Sequence, residues 1–289
     1  MEFQVSENYT LCLSCVDQPG LVARTAMVLA ENGGNIINAQ QFNDQLNDRF
    51  FMRIVFELSQ GSDIKSLHKA FAPMADELGM TWRLRARSDL KRVLLLVSRF
   101  DHCLTDLLYR NRIGELDMDI VGIISNHPQA SLNTSDSLNI PFHHLPITKD
   151  TKPQQEAQIK DIVKSTNAEL VVLARYMQIL SDDMTRFLSG RCINIHHSFL
   201  PGFKGARPYH QAHERGVKMI GATAHYVTAD LDEGPIISQD VEAISHADTP
   251  EDLVRKGRDI ERRVLARAVR YQLEDRVFLN DARTVVFEN

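Results

Sequence analysis

Up to about residue 86 the apolar residues come in short mixed runs set between turns, and beyond residue 92 they gather into continuous blocks. Residues 9–16 (YTLCLSCV) read as a strand, residues 17–20 (DQPG) as a turn, and LVARTAMVLAENGG as a helix closed by Gly33 and Gly34. NIINAQQF and RFFMRIVFEL, separated by the polar NDQLND, predict two further strands. Asp63 to Leu78 has helical amphipathic spacing, and TWRLRA is a last strand. The order is βαββαβ, a ferredoxin-like arrangement.

The polar, charged stretch ARSDLKR at residues 86–92 is a linker by composition, dividing the chain into residues 1–85 and 93–289. After it the pattern changes. RVLLLVS is apolar throughout, as expected of a parallel strand buried on both faces, and TDLLYRNRIGEL behind it reads as a helix. MDIVGIIS, IPFHHLPI and ELVVLARYM are further strands, with IKDIVKST a helix before the last of them. Thr249-Pro250-Glu251-Asp252 supplies an N-cap, a proline at the first helical position and acid in the first turn, predicting a long helix to about Leu273. RVFLNDARTVVF reads as a closing hairpin. Strands alternating with helices predict a doubly wound, mostly parallel sheet, so the fold class is α/β with an N-terminal ferredoxin-like domain.

Composition narrows the function classes. The 289 residues are 43% hydrophobic and 25% charged, which is ordinary for a globular chain, and no run is long enough to cross a membrane. The opening MEFQVSENYT lacks the basic and apolar regions of a secretory signal, so a cytoplasmic location is expected. A net charge of -5 provides no basic field for nucleic acid. Cys12, Cys15, Cys103 and Cys192 read as buried thiols.

The chemistry concentrates in residues 192–240. In CINIH the period of two puts Asn194 and His196 on one face of a short strand, at the carboxyl end where open α/β sheets carry their sites. About 36 residues further on, Asp232 lies in the loop Asp230-Leu231-Asp232-Glu233-Gly234-Pro235, between GATAHYV and PIISQ. An amide, an imidazole and a carboxylate can therefore converge.

Asn194-x-His196 followed by Asp232, together with SFLPG, GARPYH and GATAHYV, resembles the catalytic core of the formyltetrahydrofolate-dependent formyltransferases. FKGARPYHQAHERGVKMIGATAHYVT and the N-terminal module resemble the branch that hydrolyses 10-formyltetrahydrofolate to formate and tetrahydrofolate. That resemblance implies Asp232 to orient and deprotonate water, directly or through His196, and Asn194 with protonated His196 to stabilise the oxyanion. It implies no metal or cofactor. Arg175, Met177, Gln178, Ile179 and Leu180 correspond to the family's folate loop, and Asp230 and His102 join the folate-binding set. His197 stands where the transferases usually have proline.

The loop Ser98-Arg99-Phe100-Asp101-His102-Cys103 has none of the glycine with which family members that formylate glycinamide ribonucleotide wrap a phosphate, so a phosphorylated acceptor is disfavoured. A formyltransferase acting on a small amine is the alternative. The strand, DQPG turn, helix and GGNI order resembles an ACT domain, which implies a homo-oligomer, dimer or tetramer, and an amino-acid effector near Asp17, Gly20, Asn35 and Asn38. A zinc amidohydrolase using His196, His197, His210 and His213 lacks HExxH-like spacing, a Ser198 nucleophile lacks its G-x-S-x-G elbow, and a purely regulatory binding protein would leave Asn194, His196 and Asp232 idle.

Overall fold

A computed structural model describes residues 7–132, 139–200 and 208–288. The chain forms two compact units that divide between Leu90 and Lys91. The first also takes in Asp275–Phe278 and the chain from Val285, which the sequence division had assigned to the second.

In the first unit β1 (Asn8–Val16), α1 (Leu21–Glu31), β2 (Gly34–Asp44), β3 (Arg49–Leu58), α2 (Ile64–Glu77) and β4 (Thr81–Ala86) follow in the expected βαββαβ order. The sheet is antiparallel throughout, ordered β2-β3-β1-β4. Period-two spacing sends Leu11, Leu13, Phe50, Met52, Ile54 and Phe56 to one face, where Leu21 and Leu29 of α1 and Leu67 and Phe71 of α2 close the core. The opposite face is buried too. There Phe51 meets Phe278 edge-on with ring centroids 5.8 Å apart, and the Cys12 thiol donates to the Asp275 carbonyl at 3.2 Å. This is why the C-terminal segment belongs to the first unit.

The second unit opens with β5 (Lys91–Val97), α3 (His102–Arg112), β6 (Met118–Ser125), β7 (Phe142–His144), α4 (Lys152–Ser165) and β8 (Leu170–Leu173). It continues through α5 (Asp182–Phe187), β9 (Cys192–His196), α6 (Pro208–Glu214), β10 (Met219–Tyr226), β11 (Ile236–Ala243) and α7 (Pro250–Leu273). A hairpin of β12 (Val277–Asn280) and β13 (Arg283–Val286) ends the chain. The seven-stranded sheet has the order β11-β10-β9-β8-β5-β6-β7; pairs from β9 through β7 are parallel, while β9/β10 and β10/β11 are antiparallel. Helix α7 starts with a full capping box between Thr249 and Asp252. The sequence had placed the fourth helix over residues 159–166; α4 begins at Lys152, with Pro153 in its first turn.

From β5 the chain winds outward through β6 and β7, then returns to β8 on the other side of β5. That reversal is a topological switch point, which opens a crevice beyond the carboxyl ends of β5, β8 and β9. Ser98 follows β5, Ala174 and Arg175 follow β8, and His197 follows β9 there.

Candidate active site

Three devices hold the crevice loops. Ser98 is buried; its hydroxyl donates to Asn126 Oδ1 at 2.7 Å and accepts from the Met177 amide at 2.9 Å, tying the β5 loop to the β8 loop. Thr223 Oγ1, also buried, donates to the Ser198 carbonyl at 2.9 Å and accepts the Leu200 amide at 3.0 Å, fixing the turn after β9. In the β10–β11 loop Asp232 sits at φ 59, a left-handed conformation uncommon outside glycine. Two residues later a Cβ on Gly234 would lie 1.8 Å from the Tyr226 carbonyl oxygen, so only glycine fits.

These constraints bring Asn194, His196 and Asp232 together. His196 Nδ1 is 3.2 Å from Asp232 Oδ1, and His196 Nε2 is buried with no hydrogen-bond partner among the described residues. With Nδ1 donating to the carboxylate, that bare Nε2 is the ring's free proton acceptor. Burial alone would raise the Asp232 carboxyl; the hydrogen bond from His196 opposes this, and the carboxyl is held well below the ordinary carboxylate range.

His225 is the member that sequence reading missed. Antiparallel pairing sets it directly opposite Asn194, so the two side chains share a face. His225 Nδ1 donates to the Tyr226 carbonyl at 2.9 Å, which leaves Nε2 of the neutral ring to accept from Asn194 Nδ2 at 3.3 Å; the same nitrogen is 3.7 Å from Asp232 Oδ1. A titratable residue in the strand GATAHYV, just ahead of the Asp232 loop, was the available signal.

The other site residues fall into different surroundings. Met177 and Ile179 are exposed at 51% and 62%, Gln178 is half-buried, and Leu180 packs against the core beside β8. Asp230 is exposed and its carbonyl caps the loop by accepting from Thr228 Oγ1 at 3.1 Å. Arg175 and His102 do not reach the exposed side of their loops. Arg175 bends inward at φ 65, with Nε 3.3 Å from Glu261 Oε2, and His102 Nε2 bonds the same oxygen at 2.7 Å as the first residue of α3. Residues 201–207, which include parts of SFLPG and GARPYH, lie outside the described residues.

In the first unit Asp17 Oδ2 accepts from Asn43 Nδ2 at 2.8 Å, and Gly20 at φ 91 starts α1. Asn35 and Asn38 are exposed on β2. Within one chain the Asp17–Gly20 turn and Asn35 stand apart, as a site shared between two copies allows. β2 runs in the same sense as β1, so Asn35 lies near the far end of the sheet, roughly 25 Å from Asn43 at ~3.3 Å per residue.

Among the described residues, His102, Cys103 and Glu261 are the His, Cys and carboxylate set whose ligand atoms all lie within 4.8 Å of one another. They do not fit a metal. Glu261 accepts from His102 and Tyr209, each at 2.7 Å, and faces the Arg175 cation, while burial, reinforced by Glu261, pushes the Cys103 thiol well up.

Residues 91–269 match the formyl transferase family and residues 9–72 the ACT domain. The formyltetrahydrofolate deformylase of Synechocystis sp. is 51% identical over 96% of this chain and 98% of its own, and that of Corynebacterium sp. is 48% identical over the same shares. The crystal structure of formyltetrahydrofolate deformylase from Burkholderia mallei superposes with a TM-score of 0.93 at 51% identity, covering 98% of this chain and 100% of the other. Glycinamide ribonucleotide transformylase 1 from Symbiobacterium toebii is more distant, with a TM-score of 0.64 at 30% identity over 71% of this chain and 98% of its own. The full-length likeness includes both units, whereas the transformylase matches only part of the chain: this chain belongs to the formyltetrahydrofolate deformylase family.

Proposed function

We propose that the protein hydrolyses 10-formyltetrahydrofolate, with Asn194, His196 and Asp232 as the reactive group. The observation that carries the assignment of roles is the buried His196 Nε2, which has no partner among the described residues while Nδ1 is held by Asp232. A carboxylate kept this far below its ordinary range is a weak base, so it orients His196 and balances its charge. Water gives a proton to His196 Nε2 as its oxygen bonds to the formyl carbon. The carbonyl oxygen becomes an oxyanion, stabilised by the Asn194 amide and the adjacent imidazolium. Collapse breaks the C–N10 bond, the proton passes from His196 to N10, and formic acid leaves as formate with its proton released to solvent. His225 keeps the Asn194 amide aimed.

The exposed Met177 and Ile179, with Gln178, Leu180 and Asp230, offer an apolar and polar surface suited to the folate rings. Formate release fits a supply of one-carbon units for purine synthesis in the cytoplasm. The edge strand β2 exposes Ile36, Ile37 and Phe42, which supports assembly through a second copy. An effector that touches both the Asp17–Gly20 turn and Asn35–Asn38 would require two copies. Calorimetric titration with glycine and with methionine tests that reading, and flat traces with both would remove it.

The decisive assay mixes the protein with 10-formyltetrahydrofolate and no acceptor, and follows tetrahydrofolate and formate. Turnover that collapses in Asp232→Asn is expected. Turnover only after an amine is added would make the protein a transferase.

A further inference from the structure

Glu261 is a carboxylate on the apolar stripe of α7, 1% exposed, among Leu253, Gly257, Ile260, Val264 and Leu265. Its surroundings are built to receive it. Gly257, one turn earlier, has no room for a Cβ, which would lie 2.1 Å from the Tyr209 ring; this lets the Tyr209 hydroxyl reach Glu261 Oε1 at 2.7 Å. His102 Nε2 bonds Oε2, and the Arg175 Nε cation lies 3.3 Å from the same oxygen as an ion pair. Burial would raise the Glu261 carboxyl, but the bond from His102, the Arg175 charge and Tyr209 hold it below its ordinary value.

Arg175 adopts a left-handed backbone that favours glycine, and its half-buried guanidinium lies between two partners. One is Glu261. The other is His197, whose Nδ1 lies 2.7 Å from Arg175 Nη1. A guanidinium has no acceptor, so Nη1 donates, Nδ1 of His197 is bare, and the ring's hydrogen is on Nε2. The His197 ring stacks on His196, centroids 4.9 Å apart and planes 23° from parallel.

We propose that Glu261, through Arg175, holds His197 as its Nε2–H tautomer against the face of His196, so that Glu261, Arg175 and His197 are positioning residues for the His196–Asp232 pair. The charged and titratable groups facing His197 are Arg175, His196, Glu261 and Asp232. Burial, then Arg175 and His196, push His197 down to about 4. A protonated His197 would break with Arg175 and set a second cation against His196 as that ring takes a proton. Keeping His197 neutral leaves His196 as the ring of the stack that changes charge.

The inference rests on His196 and Asp232 being the reactive pair, but its first test is read without substrate. In 15N spectra of histidine-labelled wild type, His197, assigned by its absence in His197→Asn, should show an unprotonated Nδ1 and no titration between about pH 5.5 and 8. In Arg175→Gly/Glu261→Gln, which removes both charges together and suits the backbone at residue 175, His197 should titrate within that range. The same variant should lose ten- to a hundredfold in kcat with KM within about twofold, and its kcat–pH profile should gain an ionisation. A protonated or mixed Nδ1 in wild type would overturn the tautomer whether or not the reaction is correctly assigned. An unchanged kcat and pH profile in a folded double variant would overturn the positioning role.

Discussion

Gly234 packs so closely on Tyr226 that an added Cβ would sit 1.8 Å from the Tyr226 carbonyl oxygen. The contact fixes where the β10–β11 loop turns, and so where Asp232 meets His196. Gly234→Ala must push the loop off β10. A stability loss of about 2–4 kcal/mol is expected, roughly 5–15 °C in Tm, with at least a hundredfold loss of kcat/KM. Gly114→Ala, in a left-handed turn after α3 with open space around it, should cost only about 1 kcal/mol and leave kcat unchanged. Thermal melts and turnover of the two variants separate the clash from simple backbone strain.

Asp232→Asn removes the charge that orients His196. Acceptor-free turnover should fall about a thousandfold, while folate binding measured by fluorescence changes little. A variant within tenfold of wild type would mean that another group orients the imidazole.

Asn194→Ala should lower kcat by about a hundredfold through loss of an oxyanion donor. His225→Ala frees the same amide and should act through it. The double variant should therefore be no slower than Asn194→Ala alone, a non-additive cycle of two residues in contact. Multiplying losses would show that His225 has a separate task.

His197 gives the stability a pH dependence. Its folded value lies at about 4, below the ordinary 6.5, so under acid the unfolded chain binds a proton that the folded ring refuses. Stability should fall as pH drops from about 6.5 towards 4, by up to about 3 kcal/mol, and level off below. Denaturant titrations of wild type and His197→Asn should differ most in slope across that window.

Asp232 acts in a lower window. Its folded carboxyl is held below the ordinary 3.8, so the stability it contributes is present above that value and lost as pH falls beneath it. The difference in unfolding free energy between wild type and Asp232→Asn should shrink below about pH 4.

Local pattern was enough for much of the fold. Period-two runs, the DQPG turn and the Thr249 capping box fix strand and helix identities through neighbouring residues alone, and the continuous run at β5 announces a strand buried on both faces. Asn194 and His196 share a face because a strand alternates, which needs no tertiary knowledge. Glu261 went unread; a carboxylate on the apolar stripe of α7 was the available signal, but helical spacing cannot name its partners.

The sequence by itself thus determined the two-part α/β architecture, the order of its elements and the pairing of amide, imidazole and carboxylate within residues 192–240. Tertiary structure alone decided which groups complete them. Antiparallel register across β9 and β10 put His225 on Asn194, and the inward turn at Arg175 took a residue expected at the folate loop into the Glu261 network. Each of these depends on contacts between residues distant in sequence, where burial selects the partner and no local periodicity records the choice.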